Sequence, residues 1–209
     1  LFDASGAPLE EVTAGHTLFM EDDELVDGDL VSFYAITTDR RGGTAAPIAS
    51  DIYFLQVRPF RRDYREAEQG EQPPGGGGGG QQPQNPGLSE LQRQVIAATF
   101  NLNRDRANYG DEEFAESTRS VALAQGRVRE QVGTLTERMG NRGLSRADEQ
   151  FRIIAEMLPG ATAAMDTARM MLDSLRPREA LGPEQRALAV LLKAEETYER
   201  MVQLQQQQG

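Results

Sequence analysis

Six consecutive glycines, Gly75–Gly80, set the first limit on how this chain can fold. Glycine has no side chain to bury and loses the most backbone entropy on ordering, so the run does not suit the interior of a strand or helix. The surrounding stretch Pro73–Pro86 (PPGGGGGGQQPQNP) has the same low-complexity character and reads as a disordered linker. A phosphate-cradling glycine loop would need a strand before it and Lys-Ser/Thr after it. Gln81-Gln82-Pro83 follows instead, and that reading fails. The chain is expected to divide into a strand-rich piece (1–60), a basic exit with the linker (61–87), a helical region (88–205) and a tail (206–209).

Composition narrows what the two sides can be. Across 209 residues, 38% are hydrophobic and 6% aromatic, with no Trp and a mean hydropathy of −0.55. That is lean for one thick core, so the apolar residues are expected in narrow stripes. The formal net charge is −11. Residues 1–60 hold eleven Asp/Glu against three Arg, which leaves the helical remainder close to balanced. Phosphate binding needs a basic field, so the balance argues against nucleic acid as a partner. Cysteine is absent, which removes disulfides, thiol nucleophiles and Cys-ligated zinc together. This suits the cytoplasm and the cell envelope equally. No stretch approaches the ~18 apolar residues of a membrane span. Leu1 is not followed by a signal-peptide hydrophobic region, and the chain is expected to be a fragment whose anchor or export signal lies upstream.

Before the linker the period is that of strands. His16–Met20, Leu30–Thr38 and Ile52–Val57 are short, apolar and rich in β-branched or aromatic residues. Asp27-Gly28-Asp29 marks a turn into the second run, and Arg41-Gly42-Gly43 opens the connection to the third. The later runs are apolar on both faces, as in a sandwich interior. Three strands cannot cover two faces among themselves, so further strands are expected upstream.

After the linker the period becomes helical. Ser89 with Gln92 forms a capping-box signature, opening a helix through Leu91, Val95, Ile96 and Leu102. Phe114, Thr118, Val121, Gln125, Val128, Val132, Leu135 and Met139 then recur at alternating spacings of four and three, a heptad seam with Gln125 as its polar position. Gly140 and Gly143 are expected to bracket a turn. A second seam runs through Leu144, Ala147, Phe151, Ile154, Leu158, Ala161, Met165, Ala168, Leu172 and Leu175. It crosses Pro159-Gly160 without a slip, as a kinked helix or as two helices sharing one face. Gly182-Pro183 is expected to start the last helix, with its seam at Ala187, Leu191, Ala194, Tyr198 and Met201. The fold class is therefore α+β in separate segments: part of a β-sandwich, then an antiparallel helical bundle or coiled-coil-like hairpin. The Ala- and Val-rich seams bury modest area, which suits association with a protein partner or a second copy.

Candidate chemistry is sparse, and no residue is singled out as catalytic, metal-binding or cofactor-binding. His16 is the sole histidine, and no nucleophile pattern accompanies it. The acidic group Glu21, Asp22, Asp23, Glu24, Asp27 and Asp29 could offer oxygens to calcium, or simply form a solvated turn. An EF-hand loop from Asp23 fails, because Leu25 and Tyr34 occupy positions that need carboxylates. Arg58-Pro59-Phe60-Arg61-Arg62-Asp63-Tyr64-Arg65 could dock an acidic partner, or merely solvate the exit of a strand that Pro59 ends. Glutamates of the helices lie opposite the seams, and no pair stands out as an acid/base couple.

Several phrases carry a resemblance. Gly28-Asp29-Leu30-Val31-Ser32-Phe33-Tyr34-Ala35, Thr38-Asp39 and Ser50-Asp51-Ile52-Tyr53-Phe54 resemble the last two strands of an immunoglobulin-like domain. Tyr53–Phe60, the polyglycine and Leu88-Ser89-Glu90-Leu91-Gln92-Arg93-Gln94 are similar, in order and spacing, to large acidobacterial-type envelope proteins. Met165, Ala168 and Leu172, then Glu179-Ala180-Leu181, Gln185, Ala187-Leu188 and Leu191-Leu192, resemble the helical pair at that family's end. The family has no established activity, and the resemblance implies no site residues. It implies placement: a membrane-tethered protein whose soluble part faces the periplasm.

Three readings follow. The first is a non-catalytic envelope scaffold or interaction region, without cofactor, touching the membrane only through an upstream anchor. The second is a calcium- or glycan-binding β-sandwich module with a helical extension. The third is a hydrolase completed by further sequence. The first is favoured, because the residues the others need are absent or unremarkable.

Overall fold

The computed structural model describes residues 15–17, 19, 24–26, 28–39, 46–57, 87–141 and 148–207. The linker Gly75–Gly80, the basic run Arg58–Arg65 and the Gly143–Ala147 start of the second seam lie outside the described residues. Short antiparallel strand pairs precede four long helices, so the fold is α+β in separate segments.

The strands are β1 (Leu30–Phe33), β2 (Ile36–Asp39), β3 (Ala46–Ala49) and β4 (Tyr53–Gln56). β1 pairs with β4 and β2 with β3, both antiparallel. The register runs Leu30↔Gln56 to Phe33↔Tyr53, then Ile36↔Ala49 to Asp39↔Ala46. Between the two ladders, Tyr34 and Ala35 face Ser50, Asp51 and Ile52, so one strand carries an extra residue. This is a β-bulge in a single long hairpin. It is held by Ala35 N–H donating to Ser50 Oγ (2.9 Å) and by Ser50 N–H donating to Ala35 O (2.9 Å). The bulge divides the expected Leu30–Thr38 strand in two. β3 escapes a propensity reading because Ala-Pro-Ile-Ala is poor strand sequence, although Pro47 is tolerated on a ladder with a free edge. Of the expected His16–Met20 strand, His16, Thr17 and Phe19 are exposed and outside any strand, and Leu18 and Met20 lie outside the described residues. Gly28 adopts φ +94° in the turn into β1, closed by Gly28 N–H to Val57 O at 2.8 Å.

The helices are α1 (Leu88–Arg104), α2 (Asp111–Asn141), α3 (Glu149–Asp173) and α4 (Pro177–Gln207), with a short 3-10 turn at Arg106–Asn108. α1 packs on α2 and α4, and α3 packs on α2 and α4. The seams meet inside: Val128, Val132, Ile154, Leu158, Ala161, Met165, Ala168 and Leu172 join one apolar core with Ala180, Ala187 and Leu191. Each fully buried Leu or Met contributes about 1.5–3 kcal/mol of transfer free energy. Small Ala residues between them let the helices approach.

Two helix boundaries differ from the sequence reading, and the alternative left open at Pro159-Gly160 is decided. Gly140 is helical, and α2 continues to Asn141. α3 runs unbroken through Pro159-Gly160; Pro159 is exposed, so the backbone bond it removes lies on the water side. α4 begins at Pro177, six positions before Pro183, which sits buried within the helix. Pro177 is the residue at the first helical position, where its missing N–H costs nothing. A cap unnoticed in the sequence starts α3, where Asp148 Oδ1 accepts from Gln150 N–H at 2.7 Å.

Candidate functional site

Extending the α4 seam back from Ala187 by steps of three and four reaches Glu184, Ala180 and Pro177. A glutamate thus occupies a core position, and its side chain has no solvent exposure. The same layer receives polar residues from two other helices. Gln92 and Thr99 come from α1 and Gln125 from α2, each with no exposure. Thr99 Oγ1 donates to Glu184 Oε1 at 2.7 Å. Gln92 Nε2 donates to Gln125 Oε1 at 3.0 Å and to the Glu184 main-chain carbonyl at 3.3 Å. Gln125 Nε2 donates back to Gln92 Oε1 at 2.9 Å.

This network is almost, but not fully, satisfied. Glu184 Oε2 is buried and has no hydrogen-bond partner among the described residues. Burial away from water disfavours the charged form and pushes the Glu184 carboxyl up to about 8, against the opposing effect of the Thr99 hydroxyl. No charged side chain contributes to that shift. At neutral pH the group is a neutral acid, which is how a lone carboxyl is tolerated inside a protein.

The Ser89/Gln92 capping box is not formed. α1 is preceded by Gly87 without a side-chain cap, and Gln92 turns inward to Gln125. Ser89 instead binds Glu195 of α4: Ser89 Oγ donates to Oε2 at 2.8 Å and Ser89 N–H to Oε1 at 3.4 Å. The carboxylate at the α1 N-terminus is therefore supplied by another helix, where the macrodipole favours negative charge. Tertiary packing claimed both capping-box side chains, a competition that local pattern does not register.

The hairpin sits on the α1–α4 pair. Leu30, Ile52 and Phe54 pack against Ile96, Leu188 and Leu192. Gln185 Nε2 donates to Ser32 Oγ at 2.8 Å, Arg104 pairs with Asp51 at 2.8 Å, and the Tyr34 and Phe100 rings lie 4.9 Å apart. Arg104 also binds Asp105 at 2.9 Å and holds that carboxyl below its usual range. The opposite hairpin face is bare: Phe33, Tyr53 and Leu55 are each exposed, with the Phe33 and Tyr53 rings stacked at 5.6 Å.

Among the described residues, those considered in the sequence do not meet in a site. His16 is exposed. Of the acidic group, Glu21, Asp22, Asp23 and Asp27 lie outside the described residues. Asp29 is engaged locally, its Oδ2 accepting from Val26 N–H at 2.8 Å. Among the described residues, no group of His, Cys, Asp or Glu could hold a metal ion, and no helix is long and apolar enough to cross a membrane. A surface groove lies along α2 beside the α1 start, lined by Leu88, Arg127, Glu130, Thr134, Leu135 and Arg138, and is open to solvent. Gln125 was visible as a polar break in its seam, whereas Glu184 was hidden by starting α4 at Pro183. Comparison with known proteins gives no match: no family model, no curated protein and no solved structure matches the chain.

Proposed function

We propose that this chain is a non-catalytic scaffold, an interaction region of a larger membrane-tethered bacterial envelope protein whose soluble part faces the periplasm. The observation that carries the interaction reading is the two-faced hairpin. One face is covered by α1 and α4, while the other leaves Phe33, Tyr53 and Leu55 in water. An aromatic patch of this kind is characteristic of surfaces that meet another polypeptide. The seam residues Leu135, Leu175 and Tyr198 are exposed as well, so the helical seams offer a second surface for a protein partner or a second copy.

The same patch supports a finer reading of the fold. The hairpin is the closing hairpin of an immunoglobulin-like sandwich, and further strands would cover Phe33, Tyr53 and Leu55. The helices form a four-helix bundle in which α1 and α4 run antiparallel: Ser89 meets Glu195 while Thr99 meets Glu184. The polar layer is buried, with no solvent exposure at Glu184, which favours a structural role over catalysis.

Fractionation of cells producing the complete gene product tests the proposal. The protein is expected in the membrane fraction, with its helical part cleaved by protease added to spheroplasts. Recovery in the cytosol, or full protection from external protease, would overturn the placement. A Phe33→Ser/Tyr53→Ser variant that folds as stably as the parent, in the full-length protein, would overturn the sandwich reading.

A further inference from the structure

We propose that Glu184 is a proton-controlled latch in the seam between α1 and α4, and that ionising it releases the β-hairpin which those two helices hold. The inference stands apart from the proposed cellular placement and needs only the geometry of the seam.

The latch is built from three observations. First, the Glu184 carboxyl crosses from α4 to α1, with Oε1 taken by Thr99 and Oε2 buried without a partner. A neutral carboxyl costs less there than a carboxylate, which needs water or a donor that the packed seam does not supply. Second, the side chains that meet it are uncharged, and Arg169 of α3, which lies against Gly126 beside Gln125, is paired with Asp173. α1 presents Gln92 and Thr99, α2 presents Gln125, and the buried residues of α3 are all apolar. The hairpin reaches the neighbouring Gln185 through Ser32. The charged groups of the seam, Glu195 at Ser89 and Arg104 at Asp51, lie toward its two ends. Nothing nearby neutralises a carboxylate when its proton leaves for bulk solvent.

Third, the α1–α4 seam that buries the carboxyl is also the one on which the hairpin rests. α3 meets the core with Ala161, Met165, Ala168 and Leu172, all without exposure. α1, the shortest of the four helices described, meets α4 through the polar contacts of Ser89, Gln92 and Thr99 and through the small cluster of Ile96, Leu188 and Leu192. Pro183, directly before Glu184, lacks the N–H that would bond Glu179 O, so the helix is already one bond short at this point. Local opening around an ionised carboxylate runs along the surface that buries it, here the α1–α4 seam. That surface carries the hairpin, because Leu30, Ile52 and Phe54 rest on Ile96, Leu188 and Leu192. Hydrating the carboxylate and lifting the hairpin are thus one motion.

Hydrogen exchange of the whole chain at about pH 6.5 and about pH 9, corrected for intrinsic rates, reads this motion directly. Between the unfolded and folded pKa values, opening of the seam is expected to grow by about tenfold per pH unit. Protection of the amides in β1 and β4 should fall accordingly, while α2 and α3 amides keep theirs. Glu184→Gln, which retains the Thr99 contact and cannot ionise, is expected to hold the hairpin at both pH values. Thr99→Val removes the donor that favours the carboxylate and should move the release midpoint to higher pH. Equal hairpin protection at both pH values in the parent would overturn the latch. So would pH dependence that persists in Glu184→Gln, an unmoved midpoint in Thr99→Val, or uniform loss of protection in all four helices.

Discussion

Gln92 of α1 and Gln125 of α2 exchange amide hydrogen bonds in both directions, at 3.0 and 2.9 Å, with neither side chain exposed to solvent. A reciprocal amide pair fixes the register of two helices, because sliding either by one turn leaves two donors and two acceptors stranded. Removing one partner should therefore cost more than removing both. Gln125→Leu is expected to destabilise by about 1–3 kcal/mol, and the double variant Gln92→Leu/Gln125→Leu to recover most of that loss. Urea denaturation of the two singles and the double measures it. Simple additivity would mean that the pair is not coupled.

Glu184 should make stability depend on pH in an unusual direction. Its folded pKa, about 8, lies above the ordinary value of 4.5. Between these values the folded state holds a proton that the unfolded state has lost, so stability is full below the unfolded pKa and falls as pH rises through the folded one. The slope for this single group is at most about 1.4 kcal/mol per pH unit. Thermal melts from mildly acid to mildly alkaline pH should show the decline in the parent and a flatter profile in Glu184→Gln. Parallel profiles would remove Glu184 as the cause.

The borrowed cap at the α1 N-terminus makes a separate prediction. Glu195→Ala should cost about 1 kcal/mol, since Ser89 loses both its hydroxyl acceptor and the carboxylate near the helix start. Ser89→Ala should cost a similar amount, and the two losses should not add. Equilibrium unfolding of both singles and the double provides the comparison.

Arg104 and Asp51 join the hairpin to α1, but Asp51 is largely exposed. Ion pairs of that kind contribute about 0–1 kcal/mol and weaken with salt. Asp51→Ala should leave the global melting temperature nearly unchanged while making the hairpin more sensitive to protease. Ile52→Ala, which removes apolar contact with the Ile96 cluster, should act more strongly. Protease digestion timed on the three proteins would rank them, and the opposite order would assign the docking to charge.

How much of this was legible depends on which competition decided each residue. The seams of α2 and α3 were readable because burial alone governs them: Val128, Val132, Leu158, Met165 and Leu172 stand at their heptad positions and are buried. The start of α4 was not, because Gly182-Pro183 is a strong local signal that packing overrides, and that error concealed Glu184. Ser89 and Gln92 were assigned to each other when each had a partner far along the chain. β3 was invisible because Pro47 and two alanines carry no strand preference, and only the pairing with β2 makes them a strand. The Gln92–Gln125–Glu184 layer needed three helices placed side by side before it existed at all.

The extra residue at the hairpin bulge has a consequence of parity. In a regular strand, consecutive side chains point to opposite sides, so neighbours never serve the same surface. At the bulge that rule is suspended, and both Asp51 and Ile52 reach the helices, one to Arg104 and the other to the apolar cluster. Even-numbered residues of β4 lie beside even-numbered residues of β1, whereas odd-numbered residues of β3 lie beside even-numbered residues of β2. Losing a single residue at Ser50–Ile52 would exchange inside for outside along everything on one side of it. Chain length at this point is consequently as strict a specification as any side chain.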